Sequence, residues 1–419
     1  MLRLQYALRF EEAESSSPIC ERIAAVIEAL DAERLLQRLD AERGLSGRDD
    51  YPNRSLWHCL VAFGCLGVKE ATEGLRYLEL SSELRRLCGM QSKKDIPSKH
   101  AFYRFEKRLL KHLDLLEEMF ATLVRQLSVR LPGFGQRLAT DSTKVHSLAN
   151  GKKAAADLDA SWKKYEHVYL DEEGKARKSA VKWFGYKLHL LVDAVYELPI
   201  AAHLSTAKDN DSTHFPGLWR KAQGNLPGLK EVAQSNALDK GYDETNVHQL
   251  LWADGVAPII PLRNLTEEEN KVLLPQNQQV CPRGEALRFD GFESARNALR
   301  FDRPKNCPKV CGRGYCELSA GCRQKLSRVR IEAETLRHLG PVPRDSKKFQ
   351  RLYRGRTAVE RVNSRLKEHW GLDCMRRRGL GRVKIWAMLS LLCMNAFAVT
   401  MAEKGLMQEV RKTVHSLAA

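Results

Sequence analysis

Between residues 137 and 262 short apolar runs and helical stretches follow one another as β, β, β, α, β, α, β, and this order restricts the fold more than any other feature of the chain. Arg137 to Thr140 reads as a brief strand ending in Asp141. Tyr186 to Val192 and Leu198 to Leu204 read as a hairpin turning over Asp193 to Glu197, Val232 to Leu238 as a fourth strand ending in Asp239, and Ala257 to Leu262 as a fifth. Helices fall near Ser212 to Gln223 and Glu244 to Ala253. Hairpin-linked strands run antiparallel and helix-linked strands run parallel, so the five make a mixed sheet with the first and fourth side by side. Sites in open α/β sheets form beyond the carboxyl ends of strands where the order reverses. Two aspartates ending those neighbouring strands would point into one crevice.

The flanks differ in texture. From about residue 18 to 130 the apolar spacing is helical, as in Ile23, Ala24, Ile27, Leu30 and in Leu109, Leu110, Leu113, Leu116, Met119, so residues 1–130 are expected to form an all-helical domain. Ser98 is placed to cap a helix rich in aromatics and bases, a module suited to DNA docking or to plain scaffolding. Residues 131–262 hold the first part of the α/β core, and 263–345 form a cysteine-bearing insertion. Residues 346–405 bring a helix and a buried apolar helix back to the core, and 406–419 are a tail. Gly151 to Lys182 is polar and Lys-rich, and reads as a flexible loop able to follow a phosphate backbone.

Charge narrows the partner. Lys and Arg number 69 against 52 Asp and Glu, a net +17 with a pI near 9.4, which favours nucleic acid first and an anionic membrane surface second. The first residues lack a signal peptide's apolar core, so a cytoplasmic protein is expected. Ile385 to Ala402 carries no charge and is long enough to span a bilayer, but Ser390, Asn395 and Thr400 interrupt it and a buried helix explains the pattern without a membrane.

Tyr353, Arg356, Glu360 and Lys367 stand at steps of 3, 4 and 7, which on one helix stacks them in a single column beside the apolar stripe Leu352, Val359, Val362, Leu366. A solvated face with ordinary ion pairs is the bland alternative. With Asp141 and Asp239, Glu360 completes three hard oxygen donors suited to Mg²⁺. Two such ions about 4 Å apart activate a hydroxyl and stabilise a leaving oxygen in phosphoryl transfer. Asp243 is the better helix cap after Asp239, and Asp193 and Asp211 fit a turn and a cap.

These segments resemble the bacterial insertion-sequence transposases of the DDE class, whose last catalytic helix bears Tyr, two residues, Arg, three residues, Glu, six residues, Lys. Tyr353, Arg356, Glu360 and Lys367 match every interval, and "LATDSTKV", "ALDKGYDE", "WFGYKLHLLVD", "YPNRSLWHCLVAFGCLG" and "IPSKHAFYRF" are similar to further family segments, so that the likeness covers most of residues 45 to 400. The resemblance implies a ribonuclease H-like core in which Asp141, Asp239 and Glu360 bind catalytic Mg²⁺ or Mn²⁺. It implies that Tyr353, Arg356 and Lys367 contact double-stranded DNA at the terminal inverted repeats, that hydrolysis frees a 3′-hydroxyl which attacks target DNA, and that two copies pair the ends as a homodimer. Lys187 lies in a family-like segment and is open between a DNA contact and a solvated strand residue. A transposase-derived DNA-binding protein without cleavage activity is the alternative, against which an intact acid triad argues. Cys307, Cys311, Cys316 and Cys322 could close a tetrahedral Zn²⁺ site, or stay reduced and unliganded, since their spacing lacks paired CxxC knuckles.

Overall fold

The computed structural model describes residues 17–42, 51–68, 70–149, 157–170, 176–263, 281, 285, 287–304, 307, 326–331, 336–344, 346–373 and 376–415. Among the described residues seven α-helices come first: α1 (Pro18–Ala29), α2 (Glu33–Ala41), α3 (Asn53–Cys65), α4 (Ala71–Leu80), α5 (Ser82–Leu87), α6 (Lys99–Leu109) and α7 (Leu113–Arg130). Ser98 caps α6 as its sequence position suggests, accepting a hydrogen bond from Ala101 N at 3.2 Å.

The sheet follows. β1 (Arg137–His146) pairs antiparallel with β3 (Ala176–Asp193) and parallel with β5 (Ser235–Leu238), which in turn pairs parallel with β6 (Ala257–Ile259). β4 (Leu198–Thr206) takes the other edge of β3 through Tyr186↔Thr206, and β2 (Ser161–Leu170) takes over that edge from Gly185 onward. Helices α8 (Asp211–Asn225), α9 (Leu229–Val232) and α10 (Thr245–Ala253) supply the crossovers. Asp193 shapes the β3–β4 turn as expected, its carboxylate accepting from Val195 N, Tyr196 N and Gly135 N.

Three expectations change. The segment read as a flexible Lys-rich loop contains β2 and the first half of β3, which pair with each other over ten residues, from Ser161↔Gly185 to Leu170↔Ala176. Its two-sided polarity hid a strand pair that extends past the core, where no apolar face is needed. β1 does not end at Asp141 but runs on to His146 against β3. Asp243 caps nothing: α10 has Glu244 at its N-cap, and Asp243 is fully buried, bonded to His248, Arg337 and the backbone N of Arg263.

Beyond β6, the described part of the insertion forms a three-stranded antiparallel sheet, β7 (Arg288–Glu293), β8 (Ala298–Asp302) and β9 (Leu326–Arg330), over a small core of Leu299, Phe301, Ile331 and Leu336. Asp243 ties it to the main body by holding Arg337 at 3.0 Å, and these partners pull its carboxyl down to about 2 against the upward push of burial. Cys311, Cys316 and Cys322 lie outside the described residues, so the zinc reading falls there too.

The chain then returns through α11 (Lys347–Tyr353), α12 (Thr357–His369) and α13 (Leu380–Glu403). α13 is the one described helix long and apolar enough for a membrane span, and its apolar window is wholly buried inside the protein. It packs on α7, α1, α3 and β4. Its polar side chains bond within that core: Ser390 Oγ donates to Trp370 O at 2.6 Å, and Asn395 Nδ2 donates to Pro199 O at 3.0 Å, while Asn395 Oδ1 has no partner among the described residues. One apolar cluster therefore runs from the amino-terminal helices through α13 into the sheet, and the change of texture near residue 130 is not a gap in packing.

Candidate active site

β1 and β5 stay paired from Arg137↔Ser235 to Thr140↔Leu238, and the next residue on each is an aspartate. β5 ends there because Asp239 accepts from Lys240 N at 2.6 Å and starts a single 3₁₀ turn, Lys240–Tyr242. Asp141 instead stays in strand, opposite Leu190, with a carboxylate oxygen accepting from Ser142 N at 2.7 Å. The parallel register thus sets both carboxylates at the same level of the sheet.

Glu360 comes from the far end of the sequence, and the column to which it belongs is not one continuous α-helix. α11 ends at Tyr353, Arg354–Arg356 form a 3₁₀ turn, and α12 begins at Thr357. A 3₁₀ turn advances 120° per residue against 100° in an α-helix, so three residues turn the helix face by roughly 60° relative to an unbroken helix. Tyr353, Arg356 and Glu360 nevertheless remain neighbours. The Arg356 guanidinium lies 5.7 Å from the Tyr353 ring centroid, donates to Glu360 Oε1 at 2.6 Å, and reaches across to Asp141 Oδ2 at 3.2 Å. Lys367 is half-buried two turns further along the same face of α12, where burial lowers its pKa and Asp373 and Lys144 are its charged neighbours.

The structure thus joins Asp141 to Glu360 through Arg356. Among the described residues no three His, Cys, Asp or Glu side chains stand close enough to grip a metal ion as they are. The donor set still suits a hard divalent cation on two grounds. Burial raises the Asp141 carboxyl to about 6, and the charges of Asp239 and Asp211 add to that rise, a repulsion that a cation between them would relieve. Arg356, a cation, already sits between two of the three acids. Burial alone would lower the Arg356 pKa, but Tyr353, Glu360 and Asp141 outweigh it, and the guanidinium is held more firmly charged than usual.

Lys187 is corrected. It is 3% exposed, with its Nζ donating to Asp211 Oδ1 at 2.8 Å and to Asp209 O at 2.9 Å, so it is not placed to touch a DNA backbone. A lysine at a pleat position facing inward cannot be solvated, and it takes the acid that faces it. That acid is Asp211, which by sequence position fits a cap. Asn210 holds the N-cap position of α8, while Asp211 accepts from Lys187 and from Ser142 Oγ at 3.0 Å, one residue from Asp141. Asp211 is thus a fourth carboxylate beside the site, and its only sequence signal was the Asp209, Asn210, Asp211 run just after β4. Three histidine rings pack behind it, with His214 at 4.9 Å from both His189 and His203. Burial lowers His189 to about 3, leaving it neutral.

A mixed sheet that sets two carboxylates at the same level of adjacent parallel strands, with a third delivered by a late helix, defines an acid-site α/β protein. Residues 132–396 match the family model described as Transposase DDE domain, which spans well over half of the chain, and the chain belongs to that family of DNA transposases. No curated relative matches it. Among solved structures it is similar to a piggyBac transposase synaptic complex with hairpin DNA, at 12% identity and a TM-score of 0.38, over 96% of this chain and 81% of that one. A likeness at that score adds no structural argument.

Proposed function

We propose that the chain is the transposase of a bacterial insertion sequence, cutting and rejoining DNA at the element's terminal inverted repeats. Asp141, Asp239 and Glu360 would hold Mg²⁺ or Mn²⁺ in a ribonuclease H-like core. The observation that carries this reading is the level pairing of Asp141 with Asp239, with Glu360 linked to Asp141 through a shared guanidinium. When bound, the divalent cations supply Lewis-acid activation of the attacking hydroxyl and stabilisation of the leaving oxygen.

The chain's own residues do the rest. Asp141 and Asp239 stand at the same register level of adjacent strands, whereas Glu360, with a side chain 48% exposed and bonded to Arg356, would have to turn toward them. Arg356 must leave both carboxylates before they can act as ligands, and its planar fork then matches a phosphate in two-point contact. Tyr353 offers a stacking face beside it. Lys367, lower on the same helix, can bear on DNA further from the break. Pairing two ends makes two copies the expected assembly on DNA. The net +17 supplies the sequence-independent attraction that brings duplex to the cleft.

The test is to incubate purified protein with Mg²⁺ or Mn²⁺ and a duplex carrying the element's own ends. Strand breaks leaving 3′-hydroxyls, stopped by a chelator, are expected. An intact duplex in both metals, with DNA still bound, would favour the binding protein that no longer cuts.

A further inference from the structure

We infer that the cleft between α11 and the amino-terminal ends of β1, β5 and β6 is a separate DNA-backbone site, taking phosphates of the duplex whose strand enters the acid site. The inference rests on the transposase reading and extends it to residues outside the acid site. From Ser346 to Val359 the chain carries five cations, Lys347, Lys348, Arg351, Arg354 and Arg356, and no acid. α11 does not need that charge to form. Ser346 caps it, accepting from Phe349 N at 3.1 Å, and Phe349 packs with Ala237, Ile259 and Val342. Lys347 with Arg351, Lys348 with Arg351, and Arg351 with Arg354 stand three or four apart, where like charges cost a few tenths of a kcal/mol each. Arg356 is offset by Asp141 and Glu360, whereas Lys348 and Arg351 have no acidic partner among the described residues. Local charge that opposes its own helix is the kind of conflict that marks a functional surface.

Two of those cations, Lys348 and Arg351, reach a cavity. Lys348, Arg351 and, from the start of β1, Arg137 line a cleft of about 600 Å³ whose wall contains no Asp or Glu. Asp193, whose carboxyl also feels the charge of Arg137, already accepts three backbone N–H groups. Gln136 and Gln234 add amide groups suited to phosphate oxygens. The cleft opens at the opposite end of the strands from Asp141, four residues or about 13 Å along β1. That is about four base pairs of duplex at roughly 3.4 Å each. α11 and its 3₁₀ turn connect the two places, since Gly355 lines the cleft and Arg356, the next residue, touches Asp141. One duplex can reach both, which favours the backbone of the cut DNA over a free nucleotide.

The experiment uses the full chain and a labelled 30-base-pair duplex of arbitrary sequence. Binding is measured across a salt series for the parent and for a variant carrying Arg137→Gln, Lys348→Gln and Arg351→Gln. Loss of three phosphate contacts lowers the slope of log affinity against log salt by about 2.7, at about 0.9 per contact, with the thermal midpoint and Mn²⁺ affinity unchanged. An unchanged slope with parent-like folding overturns the inference, as does a variant that loses only its affinity for free nucleoside triphosphate. A parent that binds the duplex but never cuts its own ends counts against the transposase reading alone, and a parent that binds no duplex counts against both.

Discussion

Arg356 occupies the centre of the acid site, and its position has a measurable consequence. It must be displaced for Asp141 and Glu360 to bind a cation, so Arg356→Gln is expected to bind Mn²⁺ more tightly in the absence of DNA, by roughly fivefold for a contact worth about 1 kcal/mol. The same variant should bind end DNA less well. Calorimetry with Mn²⁺ checks the first effect, and an affinity no tighter than the parent's would show that Arg356 does not compete. Asp141 gives a second, pH-dependent signature. Its folded value of about 6 lies above the ordinary aspartate value of 3.8, so the folded state holds a proton that the unfolded chain has released between those values. Its cost to stability is absent below pH 3.8, grows through that window, and is full above 6, at most about 3 kcal/mol for a shift of this size. Asp141→Asn in metal-free protein should therefore raise the thermal midpoint at pH 7.5 and leave it unchanged at pH 3.5. What was legible in sequence was that Asp141 and Asp239 follow neighbouring strands, as the β1–β5 register has them, and that Glu360 stands in a spaced column with Tyr353 and Arg356. Arg356 as their bridge was not legible, because a contact 215 positions away leaves no trace in local pattern.

At the scale of elements, the five core strands were readable because each is an apolar run closed by turn residues, and their order gave the sheet. β2 and the start of β3 were not, since their alternation is polar on both faces and resembles a loop. The 3₁₀ break after Tyr353 was equally hidden, because steps of three and four suit both helix types until a tertiary contact chooses between them. Gly185 marks the point where β2 succeeds β4 on the edge of β3. A Cβ there would lie 2.2 Å from the Val145 carbonyl oxygen, at a φ of +155°. Gly185→Ala should cost about 3 kcal/mol or more, since backbone on backbone cannot yield as a side-chain tip can. Chemical denaturation would read it, and a loss under about 0.5 kcal/mol, the ordinary range for an unconstrained surface site, would mean that the strand exchange is looser than it looks.

At the scale of the whole molecule, α13 is the organising piece. Sequence showed an uncharged helix but could not say what surrounds it, and the expected helical amino-terminal domain and α/β core turn out to share it. Residues 17–130 expressed alone should lack a cooperative unfolding transition, because the surface that α13 covers on α1, α3 and α7 would be bare. A sharp melt of that fragment would restore two independent domains. The same closeness bears on function, since it sets the helical part and the acid site on one rigid frame. The central claim is that Asp141, Asp239 and Glu360 form a single cation site for DNA cleavage. Its most direct test compares Asp141→Ala, Asp239→Ala and Glu360→Ala with the parent, cutting end DNA in Mn²⁺ while DNA affinity is measured in parallel. Each variant should lose cleavage by about a thousandfold or more and still bind DNA, and parent-like cutting by any one of them would contradict the site.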